Sequence, residues 1–128
     1  MQKILDNIFL LFFFVFFVSE NTLAQSKKLS LDDQILRDSL YRINKRKILN
    51  FSIKDFDKLF FEYFNKKNDS AILLTKTEFY NYTVQIAAFS DRLAKLYPDQ
   101  KEVAEKNKEN WLSENYEDYL EYKASQKK

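Results

Sequence analysis

A chain of 128 residues with no Cys, no His and no Gly has no disulfides, no thiolate or imidazole chemistry, and no residue that lets bare backbone close freely on a phosphate. Its 21 Lys and Arg against 19 Asp and Glu leave a formal net charge of +2, too even for the dominant basic face that nucleic-acid binding needs. Thirteen Phe, eight Tyr and one Trp are ample for one core at this length, so a single modest domain is expected, with no nucleic-acid partner and no cofactor.

The first element is the apolar run at residues 8–18 of MQKILDNIFLLFFFVFFVSENTLAQ. As a helix it would span about 16 Å, half of a ~30 Å hydrocarbon core. Extending it backwards crosses Asp6 and Asn7, which are costly at the bilayer centre. An export signal fits better: a positive start at the N-terminal amine and Lys3, an apolar middle, a polar Ser19-Glu20-Asn21, then Thr22-Leu23-Ala24 with small residues before a cleavage at Ala24–Gln25. Residues 1–24 are therefore expected to be a signal peptide that meets the membrane only transiently, and residues 25–128 a single helical domain in the periplasm or outside the cell. The rival is an uncleaved N-terminal membrane anchor.

After a polar leader, Ser30 precedes a helix predicted over 31–49. Ser30 is a good N-cap, and Asp32 and Asp33 suit the positive end of the helix dipole. Ile35, Leu36, Leu40 and Ile43 recur at helical spacing and read as its inward face. Ser52 with Asp55 resembles a capping box opening a second helix at 53–66, whose broad apolar face is Ile53, Phe56, Leu59, Phe60, Tyr63 and Phe64, with Phe61 off it. Residues 67–74 read as the main loop. Thr75 with Glu78 makes another capping box, opening a helix at 76–97 with Phe79, Tyr82, Ile86, Phe89, Leu93 and Leu96 at near-heptad spacing; Ala87, Ala88 and Ala94 would admit a close neighbour. Pro98 ends it. A last helix is expected over 99–122, bent near residues 113–115. With no Gly to end helices in the left-handed region, Asn50, Asn65 and Asn115 are the candidate C-terminal caps. The pattern has no alternating strands and points to an all-α bundle of about four helices.

Chemistry is sparse. A hydrolase built on paired carboxylates would draw on Glu62, Glu78, Asp91, Glu114 and Glu117, none of which sits in a motif. The loop at 65–70 has oxygen donors but two Lys among them and no Gly for a sharp calcium turn. No catalytic, cofactor or metal residue is assigned. Two clusters remain. Arg42, Lys45, Arg46 and Lys47 form the densest basic patch, suited to an anionic head group or an acidic partner. Trp111, Tyr116, Tyr119 and Tyr122 form an aromatic ridge in WLSENYEDYLEY, and Trp and Tyr are favoured at interfaces. The plainer reading makes the first a solubilised helix end and the second a core-docking face.

The expected role is that of an exported, non-enzymatic protein-interaction module of the bacterial envelope, its partner another envelope protein. The alternative is a module for envelope glycan or lipid head groups. A carboxylate hydrolase comes third.

Overall fold

A computed structural model describes residues 28–127, and the expected signal peptide and its Ala24–Gln25 junction lie outside these. Five α-helices occur among the described residues: α1 (Leu31–Ile48), α2 (Ile53–Asn68), α3 (Lys76–Leu96), α4 (Lys101–Leu112) and α5 (Tyr116–Gln126), with a 3-10 turn at Pro98–Gln100. There is no strand among them. The chain is all-α.

The starts of the helices follow the local chemistry closely. Ser30 Oγ accepts from Asp33 N–H at 3.2 Å, opening α1. Both capping boxes close: Ser52 Oγ accepts from Asp55 N–H while Asp55 Oδ2 accepts from Ser52 N–H, and Thr75 pairs with Glu78 in the same way. The ends differ from expectation. No described residue has a positive φ, so none of the three asparagines is a left-handed cap. Asn50 lies in the turn after α1, Asn65 lies inside α2, and Asn115 is the N-cap of α5, accepting from Glu117 N–H at 2.7 Å. Tight turns close α1 instead: Asn50 N–H reaches Lys47 C=O and Phe51 N–H reaches Ile48 C=O.

α3 is the axis of the bundle. Twelve of its residues are buried, more than a one-sided stripe can supply, because α1, α2, α4 and α5 all pack against it. Of the expected seam, Phe79, Tyr82, Ile86, Phe89 and Leu93 are inside, while Leu96 is exposed near the helix end. Ala87 and Ala88 are fully covered. The core is aromatic: Phe56 stacks on Phe89 at 4.2 Å between centroids, and Trp111 meets Phe60 and Tyr63 edge-on at 6.3 and 5.9 Å.

Two expectations are corrected. The last predicted helix is two helices, separated at residues 113–115. α4 turns Ala104, Asn107 and Trp111 inward, whereas α5 turns in Tyr119 and Lys123 with Tyr116 half-buried. In one continuous helix these two stripes would point roughly 120° apart, so the break lets both face the core. The inward face of α1 is also rotated from the predicted one. Leu36 and Leu40 pack on the core, but Ile35 and Ile43 are 58% and 73% exposed. The buried positions of α1 are Asp33, Asn44 and Ile48.

Candidate functional site

The outward side of α1 gathers the features the fold leaves unused. At about 100° per residue, Leu31, Ile35, Arg42 and Arg46 fall within an arc of about 60°, and Ser39 and Ile43 extend it by about as much again. Leu31 is 70% exposed, comparable with Ile43. Arg42, Lys45, Arg46 and Lys47 are all exposed, and none of the four forms an ion pair with a described residue. No Asp or Glu occurs from residue 39 to residue 54. The acids of α1 sit in its N-terminal half: Asp33 is turned inward, Asp38 is held by Arg37 at 3.0 Å, and Asp32 is exposed on the outward arc between Ser39 and Ile43 in angle.

α1 turns this side out because its other side is held by polar bonds. Asp33, buried between helices, accepts from Lys76 Nζ and from the Tyr80 hydroxyl, both at 2.8 Å. Burial would raise the Asp33 carboxyl, but the bonds from Lys76 and Tyr80 outweigh it and hold it below its ordinary value. Burial pushes the Tyr80 phenol far up, so it remains a donor, and its oxygen accepts from Tyr116 N–H at 3.0 Å. Arg37 donates to Leu112 C=O at 2.8 Å, covering the C-terminal end of α4. Tyr41 donates to Asp91 at 2.9 Å, and Lys108 donates to both oxygens of the same carboxylate. Asn44 bridges Leu40 C=O and Asn81. These bonds from four levels of α1 fix its rotation about its own axis.

The aromatic ridge is placed differently from its reading as an interaction surface. Trp111 and Tyr119 are buried, Tyr116 is half-buried, and only Tyr122 is exposed. The hydroxyls act inside the molecule. Tyr119 Oη accepts from Leu74 N–H at 2.9 Å while Tyr116 donates to Leu74 C=O at 2.7 Å. The loop before α3 is thus strapped to α5 through both polar groups of one residue. Further along α5, buried Lys123 donates to Lys67 C=O and Asp69 C=O, closing the end of α2, and Tyr122 donates to Asn68 at 2.6 Å. The plainer reading of the ridge, a core-docking face, describes it.

No family model, curated protein or solved structure matches this chain.

The remaining sequence candidates do not converge. Glu62 accepts from Tyr82 at 2.8 Å, Glu78 is engaged in its capping box, and Asp91 is held by Lys108 and Tyr41. Among the described residues no group of acids is arranged to hold a metal ion, and no helix is long and apolar enough to cross a membrane. Ser70, in a short Asp-Ser-apolar sequence of the kind some bacteria glycosylate, is exposed in the turn after α2; Ser39, in the other such sequence, is half-covered within α1. The outward face of α1 could have been found in the sequence from the alternation of Leu31, Ile35 and Ile43 with Arg42 and Arg46. A hydrophobic pattern alone turns such aliphatic residues inward, and only the polar partners of α1 reverse that.

Proposed function

We propose that this chain is an exported, non-enzymatic interaction module of the bacterial envelope, and that it docks through the outward face of α1. The observation that carries this reading is that face itself. A lone exposed aliphatic residue needs no explanation. Three on one side of one helix, flanked by four cations and with Asp32 the one exposed acid in the same arc, make a surface that is apolar and, from residue 39 onward, only positively charged. Such a surface gains from a partner that covers the aliphatic carbons and neutralises the cations. The non-enzymatic part is supported by the engagement of Glu62, Glu78 and Asp91 in bonds that hold the fold together. Export is supported by the signal-like order of charge, apolar run and small residues ahead of Gln25.

The test is photo-crosslinking in the producing cell, with a photoreactive side chain placed in the full chain at position 35 or, as control, at Glu105, exposed on α4. The reading predicts an adduct from position 35, to a protein or to lipid, in the envelope fraction and none from position 105. Absence of an adduct from position 35, or the same products from both sites, contradicts it.

A further inference from the structure

We infer that the outward face of α1 takes an anionic lipid surface, an assignment that rests on the reading of α1 as the docking element. Three observations favour lipid over a folded partner or a second copy of the chain.

The first is charge. From residue 39 to residue 54 the chain carries Arg42, Lys45, Arg46, Lys47 and Lys54 and no acid. The four cations of α1 are exposed and form no ion pair with a described residue. A surface of anionic head groups offers many interchangeable countercharges to such a cluster, and each basic side chain near it adds binding.

The second is the interleaving of the two kinds of residue. Arg42 and Arg46 project from the same arc as Leu31 and Ile35, with Ile43 beside them. Long basic side chains lay their carbon stems along apolar surface and carry the charge outward, so a helix of this pattern lies in the interfacial plane with aliphatic residues in the acyl boundary and guanidinium groups at the phosphates. Among the described residues the inward side of α1 is fixed by Asp33, Arg37, Tyr41 and Asn44, which keeps the interleaved side turned outward.

The third is extent. A stable protein pair buries about 800 Å² on each partner, well beyond what Leu31, Ile35 and Ile43 present. An extended lipid surface needs no such matching area, since shallow insertion and charge act together.

The test exploits the absence of Cys from the chain. The full chain carrying Ile43→Cys takes a single environment-sensitive dye at that position, and Glu105→Cys takes it at a control site. Each is titrated with phosphatidylcholine vesicles with and without phosphatidylglycerol. Partitioning by the apolar run at residues 8–18, with its positive start at Lys3, carries both labelled chains alike, so the comparison of positions 43 and 105 isolates contact at α1. The inference predicts a blue-shifted emission at position 43 that depends on phosphatidylglycerol, silence at position 105, and loss of the response at about 1 M salt, where the screening length falls to about 3 Å. Arg42→Gln with Arg46→Gln should weaken the phosphatidylglycerol-dependent binding roughly thirty-fold, about five-fold per charge removed. Both arginines are exposed, so this pair leaves the fold intact, and the far-ultraviolet circular dichroism of the variant should match the wild type. No response at position 43, the same response at both positions, or a response indifferent to phosphatidylglycerol overturns the inference. If the vesicles fail while position 35 crosslinks to protein in the cell, the lipid assignment falls and α1 remains the docking element. If both fail, the docking reading falls with it.

Discussion

Asp33 joins three elements at the level of a single side chain. From the sequence it is one of two acids in the first turn of α1. In the fold it is buried and binds Lys76 and Tyr80, while Tyr80 receives the first N–H of α5. Removing the charge with Asp33→Asn should cost about 2 kcal/mol, the worth of a hydrogen bond to a charged group inside a protein, read as a shift in the urea midpoint at neutral pH. The pH dependence has a defined sign. The folded carboxyl titrates below its ordinary value of 3.8, so its contribution is complete above that value and is lost as pH falls through the lower, folded one. The gap between wild type and Asp33→Asn should be constant from neutral pH down to about pH 5 and should close in stronger acid. A gap that widens on acidification would contradict the assignment. Lys123 gives a second residue-scale expectation. Its ammonium closes the carbonyl end of α2, and burial lowers its pKa. Lys123→Met keeps the stem and removes the donor, so it should destabilise by about 1–2 kcal/mol, again by urea unfolding.

The helices show which information is local. Ser30, Ser52 with Asp55, and Thr75 with Glu78 open three helices where their side chains say they should, because capping bonds involve only neighbours three residues apart. α1, α2 and α3 end within two residues of the predicted points. The rotation of α1 was not legible, because distant groups decide it, whereas the break before α5 falls at the bend expected near residues 113–115. Ile35 and Ile43 outrank Asp33, Arg37 and Asn44 on any hydrophobic pattern. The polar residues go inward only because Lys76, Tyr80, Asn81 and Leu112 C=O are there to meet them. Ser113-Glu114-Asn115 contains no Gly or Pro, and the expected bend is a full break because it turns two different stripes onto one core. If that break is held by its cap, Asn115→Ala should cost about 1 kcal/mol in urea unfolding, as a lost N-cap does elsewhere. An unchanged midpoint would mean that packing alone sets the break.

At the scale of the whole fold, the aromatic residues among those described divide into those that hold the fold and those left outside it. Phe56, Phe60, Tyr63, Phe79, Phe89, Trp111 and Tyr119 form one connected interior. Trp111→Ala should cost about 3–5 kcal/mol, a large part of the 5–15 kcal/mol that typically holds a domain. Tyr119→Ala should cost a similar amount, since it also frees Leu74 N–H. The ridge that suggested a partner surface in the sequence is therefore chiefly the means by which α5 grips the loop and the end of α2. The basic cluster differs from an ordinary solubilised helix end in having Leu31, Ile35 and Ile43 exposed beside it, a grouping that the rotation of α1 creates.

Everything proposed for α1 depends on which of its sides faces the core. The direct measurement is the urea midpoint of the full chain carrying Ile35→Glu and Ile43→Glu together. If these residues face outward, stability should change by less than about 0.5 kcal/mol, as for exposed positions generally. A loss approaching that of Trp111→Ala would mean that α1 packs with its aliphatic side inward, and would contradict both the docking face and its lipid assignment.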